Sequence, residues 1–251
     1  MKSIISLYII ATAVLGIHPA IAQRVNNIVI VHGAFADGSG WEDIYKILTK
    51  KGYHVTIVQN PLTSLEDDVA ATNYALARQD GPVILVGHSW GGTVITQAGV
   101  SDKVIRLVYI EGFQPEVGET TAQLAGSEPA APENGVLAPD ENGWIYYSKE
   151  KFHAGFTGDL SQEKADFMYD SQAAITLKCF TAPVTACAWK TKPSYGIVGT
   201  GDKSINPSIL RKMYKRAGSI VTEIDGSHVV FMSQPKKVAA VIEAAALGTT
   251  N

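Results

Sequence analysis

A serine in a glycine-rich turn is the strongest chemical signal in the sequence. Ser89 is the centre of Gly87-His88-Ser89-Trp90-Gly91, which fits the pattern G-x-S-x-G. The apolar run 83–86 before it predicts a buried strand, and residues 93–98 after it are typical of a helix. This context is that of a nucleophile elbow, in which glycines relieve crowding around a strained serine. It predicts an acyl-transfer nucleophile at Ser89, with the Trp90 backbone N–H at a helix N-terminus as an oxyanion donor.

A serine hydroxyl needs a base within hydrogen-bond reach and a third group that orients the base. His228 follows the last predicted strand, and Asp202 follows the strand before it and a Gly-x-Gly turn. The chain order Ser, Asp, His is the one expected when an elbow supplies the nucleophile. Glu111, at the end of another predicted strand, is the alternative acid. His32 and His88 lie in glycine turns, where we expect them to make structural hydrogen bonds.

A second glycine-rich loop, residues 32–41, directly follows the predicted strand 27–31. Such a loop brings backbone N–H groups close to the carboxyl edge of the sheet. We therefore predict that the Ala34 N–H is the second oxyanion donor and that Phe35 is a wall of the acyl pocket. A dinucleotide site is disfavoured, because the spacing is not G-x-G-x-x-G and no acidic residue ends the next strand.

The elements that position these groups alternate along the chain. Up to residue 110 the predicted order is β-α-β-α-β-α-β, which indicates a parallel sheet with helices on both faces. Two further strands, at 194–198 and 220–224, bring the sheet to about six strands. Ser64 and Asn206 are predicted N-caps of helices. The fold class is thus α/β, with the candidate residues at one edge of the sheet.

Residues from about 112 to 192 interrupt this alternation and are too many for a simple crossover, so they predict a cap over the site. Residues 136–147 predict a β-hairpin with a glycine turn, and residues 161–172 predict a helix. The cap is rich in aromatic residues, of which we expect Trp144 and Tyr146 to contact substrate. The alternative is that the aromatics pack a small core of the cap itself.

The chain has 251 residues, 46% of them hydrophobic, and a net charge of −3, which is ordinary for a globular domain and gives no indication of nucleic-acid binding. Lys2, the apolar run 4–17 and the Ala-Ile-Ala of residues 20–22 predict a signal peptide, 1–22, before a single domain, 23–251. The run is shorter than the roughly 20 residues of a membrane span, so we expect cleavage and export to a periplasm or the medium rather than an anchor.

The two cysteines leave open whether the protein has a disulfide, and the sequence contains no cofactor motif. Export would permit a disulfide between Cys179 and Cys187, but the sequence is equally compatible with two buried thiols. It shows no cluster with metal-ligand spacing and no cofactor motif, so we predict a site without metal or cofactor. Oligomeric state is not determined by these patterns.

Over essentially the whole mature chain, the sequence resembles the α/β-hydrolase superfamily. The motifs that carry the resemblance are His32-Gly33-Ala34, Gly87-His88-Ser89-Trp90-Gly91-Gly92, Asp202 and Gly226-Ser227-His228. The chain is most similar to the small esterase branch that includes plant methyl esterases and hydroxynitrile lyases. The resemblance implies a compact α/β-hydrolase fold with a cap. It also implies hydrolysis of small or medium apolar carboxylic esters through a Ser-His-Asp triad and an acyl-enzyme.

Two positions depart from the hydroxynitrile lyases of that branch. Those enzymes carry threonine at the position of Gly33 and lysine at the position of Val229, so the cation that stabilises leaving cyanide is missing. A serine rather than an aspartate nucleophile also argues against dehalogenase and epoxide hydrolase chemistry. A lyase, thioesterase or acyltransferase reaction on the same fold, and a ligand-binding protein without turnover, are the alternatives to ester hydrolysis.

Overall fold

The computed structural model describes residues 24–249, so the predicted signal peptide lies outside the described residues. Within this range six parallel strands form one sheet in the order β2-β1-β3-β4-β7-β8, and β5 and β6 form a separate antiparallel pair. The predicted six-stranded α/β fold is confirmed. The strands are β1 Asn27–Val31, β2 His54–Val58, β3 Val83–His88, β4 Val104–Ile110, β5 Trp144–Ile145, β6 Ile175–Thr176, β7 Ser194–Gly199 and β8 Ile220–Ile224.

Helices cover the sheet and build the cap. The predicted N-caps are present: the Ser64 side chain accepts the Asp67 N–H, and the Asn206 side chain accepts the Ser208 N–H. Among residues 24–249 no helix has the length and apolarity needed to cross a membrane. The helices are α1 Glu42–Lys50, α2 Leu65–Ala77, α3 Trp90–Ala98, α4 Thr121–Ala125, α5 Lys149–Phe156, α6 Gln162–Asp170, α7 Leu177–Thr181, α8 Pro207–Ala217, α9 Val230–Ser233 and α10 Pro235–Leu247.

The inner strands carry the core, and their ends define the site. Every residue of β1, β3 and β7 is buried, as expected for parallel strands covered on both faces, whereas the edge strands β2 and β8 are partly exposed. Because all six strands run in one direction, the loops after β1, β3, β7 and β8 meet at the same edge. Those loops carry the candidate residues identified from sequence.

The segment between β4 and β7 contains α4 to α7 and the β5–β6 pair, and the hairpin expected over 136–147 is present in it. Val136 and Tyr147 make an antiparallel bridge, the Leu137 N–H donates to the Tyr146 carbonyl at 3.0 Å, and Gly143 takes the turn with a φ of 82°. The sequence did not indicate that β5 also pairs with β6, where Ile145 and Ile175 are opposite one another and both are buried.

Both cysteines are free thiols in the described part of the chain. Cys179, on α7, is buried, and burial raises its pKa to about 12. Cys187 is half-buried, and burial raises its pKa to about 11. Neither thiol is activated as a nucleophile, since both are protonated at neutral pH.

Candidate active site

Ser89 occupies a strained turn between β3 and α3. Its φ of 51° and ψ of −121° are unusual for a residue with a Cβ atom and cost on the order of 1–3 kcal/mol. The turn is tight because a Cβ on Gly87 would lie 2.5 Å from the Gly91 carbonyl oxygen, and a Cβ on Gly91 would lie 2.4 Å from the Val31 carbonyl oxygen. The glycines of the sequence pattern are thus required by close backbone approach, and the serine hydroxyl is raised out of the sheet edge.

Three residues from separate loops form a hydrogen-bonded series. The Oγ of Ser89 lies 2.9 Å from Nε2 of His228, and Nδ1 of His228 lies 2.8 Å from Oδ2 of Asp202. All three side chains are buried. A carboxylate only accepts, so it holds the imidazole proton on Nδ1 and leaves Nε2 free to take the serine proton. The geometry therefore brings together the predicted nucleophile, base and acid.

Asp202 is itself fixed by backbone donors. Its second oxygen, Oδ1, accepts the N–H groups of Ser204 at 2.8 Å and Ile205 at 2.9 Å, at the start of the segment that leads into α8. These two bonds leave Oδ2 directed at His228. The arrangement gives the carboxylate one orientation, and it gives the imidazole one tautomer.

Glu111, the alternative acid, is close to the series but is not part of it. It follows β4 with a φ of 46°, and its side chain is fully buried. Oε2 accepts the Val230 N–H at 3.4 Å, and Oε1 has no hydrogen-bond partner among the described residues. Burial, and then the neighbouring Asp202 carboxylate, raise the pKa of Glu111 well above its ordinary value. Asp202 is hydrogen-bonded to Nδ1 of His228, whereas Glu111 makes no hydrogen bond to that ring among the described residues, so the geometry favours Asp202.

Both predicted oxyanion donors lie next to Ser89: Trp90 follows it in the chain, and Ala34 lines the cavity that Ser89 also lines. Ala34 and Trp90 are buried, and within residues 24–249 neither backbone N–H is paired with an acceptor. Buried unpaired N–H groups are rare in proteins, and here they lie beside the serine. The loop after β1 is close, since a Cβ on Gly33 would lie 2.7 Å from the Cβ of Ser89. The pair can bind an oxygen that acquires negative charge.

His88 and His32 make the structural hydrogen bonds expected from their positions. Nε2 of His88 donates to the His228 carbonyl at 2.8 Å, and the Asn60 N–H donates to Nε2 of His32 at 2.9 Å. Burial lowers the pKa of both imidazoles, so both are neutral. His88 thus supports the loop that carries the base, and His32 supports the loop that carries Ala34.

An apolar cavity of about 290 Å³ opens onto Ser89 and His228. This volume is at the lower end of the range for small-molecule sites. Phe35, predicted as a wall of the acyl pocket, lines it, and the ring of Phe156 packs edge-on against His228 at 4.9 Å between centroids. The large apolar lining residues are Phe35, Phe113, Phe156, Leu177, Phe180 and Ile209.

The other two predicted substrate contacts do not line this cavity. Tyr146 is 47% exposed, and Trp144 is half-buried beside it on the cap. Side chains alternate along an extended segment, and Ile145 and Tyr147 are the buried members of this one. The expected core of the cap itself is formed by Tyr147, which packs against Phe152 and Phe156 of α5 with centroids 5.6 and 5.4 Å apart.

Two carboxylates that no motif indicated also support the site. Asp159, in the cap, accepts the N–H of Ser227 at 2.8 Å and the hydroxyl of Ser233 at 2.6 Å, and so ties the cap to the His228 loop. Asp68, on α2, accepts the indole N–H of Trp90 at 2.7 Å. Their roles depend on contacts 22 to 74 residues apart in the chain, which periodicity and spacing do not reveal.

Atoms of His88, Glu111 and His228 lie within 4.8 Å of one another, but they do not form a metal site in this state. Both ring nitrogens of His228 are engaged, one with Ser89 and one with Asp202. Glu111 is held neutral by burial. A cation would have to deprotonate the carboxyl and break the hydrogen bonds of the base.

Comparison with known proteins agrees with this fold. A carbendazim hydrolyzing esterase of Nocardioides sp. (strain SG-4G) is 30% identical over 169 residues, 61% of this chain and 67% of its own. The Alpha/beta hydrolase nvfD of Aspergillus novofumigatus (strain IBT 16806) is 25% identical over 242 residues, 87% of this chain and 96% of its own. The crystal structure of a pyrethroid hydrolase from Sphingobium faniae JZ-2 superposes with a TM-score of 0.75 at 22% identity, over 88% of this chain and 97% of that one.

The family itself is identified by a match over most of the chain. The sequence model described as the Alpha/beta hydrolase family matches residues 28–241, from β1 into α10. That range holds Ser89, Asp202, His228 and both predicted oxyanion donors. By fold, site geometry and sequence match, this chain belongs to the alpha/beta hydrolase family.

Proposed function

We propose that the protein is a serine carboxylic-ester hydrolase for small or medium, apolar esters, with Ser89, His228 and Asp202 as its catalytic triad. The observation that carries the proposal is the hydrogen-bonded series of these residues at the floor of an apolar cavity. Two similar proteins are a carbendazim hydrolyzing esterase and a pyrethroid hydrolase, and this similarity supports hydrolysis as the reaction.

The reaction proceeds in two acyl-transfer steps. Nε2 of His228 takes the Ser89 proton as Oγ attacks the ester carbonyl carbon, and the carbonyl oxygen becomes an oxyanion. The N–H groups of Ala34 and Trp90 stabilise that charge. His228 then gives the proton to the leaving alcohol oxygen as the C–O bond breaks. Water, deprotonated by the same imidazole, attacks the acyl-enzyme and releases the carboxylic acid and free Ser89.

The cavity supports the choice of substrate. Its large lining side chains are aromatic or aliphatic, and the Lys212 ammonium is paired with Glu128 at the rim. No lysine or arginine of the described chain lines the cavity, so an anionic acyl group finds no counter-charge there. A neutral acyl chain or ring instead gains from transfer out of water.

Initial rates on p-nitrophenyl esters from acetate to octanoate test the proposal. Wild type should turn over with an optimum at short or medium acyl chains, and Ser89→Ala should lose activity by about 10⁴-fold or more. Ser204→Ala is the matched control, because it removes another hydroxyl of the same cavity and should keep most of the rate. Labelling with diethyl p-nitrophenyl phosphate should add one diethylphosphoryl group, on the Ser89 peptide. A folded wild type with neither turnover nor labelling would refute the esterase and favour ligand binding.

Export is part of the same proposal and rests on the sequence alone. Lys2, the apolar run 4–17 and the Ala-Ile-Ala of residues 20–22 favour cleavage after Ala22. Mass spectrometry of the protein recovered from the periplasm or the medium should find Gln23 at the N-terminus. An intact N-terminus in the cell fraction would contradict export.

A further inference from the structure

A buried carboxylate that the acyl-transfer steps do not use lies behind the oxyanion donors. Asp68, on α2, has no solvent exposure. Its Oδ2 accepts the indole N–H of Trp90 at 2.7 Å, and its Oδ1 accepts the backbone N–H of Leu62 at 2.8 Å. Hydrogen bonds to an ionised acceptor are stronger than neutral ones. Trp90 contributes one oxyanion donor through its backbone, so Asp68 fixes the residue that bears it.

The same carboxylate is connected to the second donor through the loop before α2. Leu62 has a φ of 59°, a conformation that needs support in a residue with a branched side chain. Two residues earlier, Asn60 donates its backbone N–H to Nε2 of His32 at 2.9 Å and its side-chain amide to the His32 carbonyl at 2.8 Å. His32 opens the loop that carries Ala34. Both halves of the oxyanion hole are therefore attached to one network.

This network also reaches the cavity. The Trp90 indole packs edge-on against Phe180 of α7 with centroids 5.8 Å apart, and Phe180 lines the cavity. The Leu62 carbonyl accepts the Thr176 N–H of β6 at 3.0 Å, so the loop supports the cap strand as well. Burial of Asp68 raises its pKa to about 6, so at neutral pH the fold keeps a charge that is costly to desolvate. Groups retained at such a cost are concentrated at functional sites.

We propose that Asp68 is a positioning residue for the oxyanion hole, which holds Trp90 directly and the Ala34 loop through Leu62 and Asn60. The inference rests on the proposed esterase mechanism. Asp68 does not touch substrate and acts through the two backbone N–H groups. The oxyanion exists only after attack on the carbonyl, so loss of Asp68 weakens transition-state binding more than substrate binding.

Kinetics and a transition-state analogue test this assignment. Asp68→Asn keeps the size of the side chain and removes its charge, and Trp90→Phe removes the indole donor while keeping a ring and the backbone N–H. Both should lower kcat/KM for p-nitrophenyl butyrate by about tenfold or more, with KM nearly unchanged. Affinity for an alkylboronic acid, which forms a tetrahedral adduct with Ser89, should fall by a similar factor. Asp67→Asn, an exposed neighbour on α2, is the matched control and should behave as wild type.

The indole resonance of Trp90 gives a readout that does not depend on activity. In a ¹H–¹⁵N spectrum it is assigned by its absence in Trp90→Phe. In wild type it should titrate with a midpoint of about 6, and in Asp68→Asn it should not. The titratable neighbours of Asp68 do not interfere: hydrogen bonds from Thr63 and Ser64 lower the pKa of Asp67, and burial raises that of Cys179 to about 12.

The outcomes separate this inference from the proposed function. Unchanged kcat/KM and boronate affinity in folded Asp68→Asn and Trp90→Phe would overturn it, as would an indole resonance that does not titrate. A rise in KM as large as the fall in kcat would assign Asp68 a general structural role, and it would overturn the inference too. A wild type without ester turnover or phosphoryl labelling would refute the esterase itself, whatever the indole resonance does.

Discussion

The assignment of the acid can be decided by two substitutions that keep side-chain size, Asp202→Asn and Glu111→Gln. In the wild type, Oδ1 of Asp202 accepts two backbone N–H groups and Oδ2 accepts the His228 Nδ1–H. An asparagine must place its oxygen toward the two backbone donors, so its NH₂ group faces Nδ1. The imidazole then carries its proton on Nε2, facing the Ser89 hydroxyl, and cannot accept the serine proton.

The expected magnitude follows from that tautomer. Loss of the base through the wrong tautomer lowers kcat by about 10⁴-fold, equivalent to about 5.4 kcal/mol of transition-state stabilisation at 25 °C. Glu111 makes no hydrogen bond to His228 among the described residues, and burial raises the pKa of its carboxyl well above the ordinary value, so a glutamine of the same size changes little at the base. Its oxygen can still accept the Val230 N–H. Glu111→Gln should therefore keep kcat/KM within about threefold.

The assay is the initial rate on p-nitrophenyl acetate at pH 8, normalised to protein concentration. Circular dichroism and the melting temperature establish that each variant is folded. The reasoning is refuted if Asp202→Asn keeps more than about a tenth of wild-type activity. It is also refuted if Glu111→Gln loses as much as Asp202→Asn, because Glu111 would then be the acid that orients the base.

Three further perturbations have defined outcomes. Asp159→Ala leaves the buried Ser227 N–H unpaired, so the melting temperature should fall by about 4–8 °C and kcat/KM for p-nitrophenyl acetate by about tenfold. An unchanged rate would show that the loop carrying His228 keeps its position without the contact to the cap. Gly33→Ala puts a Cβ 2.7 Å from that of Ser89, and the displaced loop should lower kcat/KM by about 100-fold while Tm changes little. Folding raises the Asp68 pKa from 3.8 to about 6, so its ionisation disfavours the native state increasingly from about pH 4 to 6. In urea titrations over pH 4–7 the wild type should therefore lose about 3 kcal/mol more stability than Asp68→Asn, and equal losses in the two proteins would contradict this.

The sequence determined the elements and the local geometry of the nucleophile. The individual strands follow from apolar runs, and the Ser64 cap and the approach of Gly87 to the Gly91 carbonyl oxygen are contacts within a few residues, so these were predictable. The order of the strands placed the loops bearing Asp202 and His228 at the same edge, because parallel strands end together. The candidate triad was accessible from sequence for that reason.

Tertiary structure decided what depends on distant contacts. Asp202 and Glu111 have the same functional group at the end of a strand, and only burial and two backbone donors from the segment before α8 distinguish them. The positions of Trp144 and Tyr146 were decided by the pairing of β5 with β6, a strand 30 residues further along the chain. Asp68 lies 22 residues from the indole that it holds. No local pattern records such contacts, because burial and hydrogen-bond partners are set by how the whole chain packs.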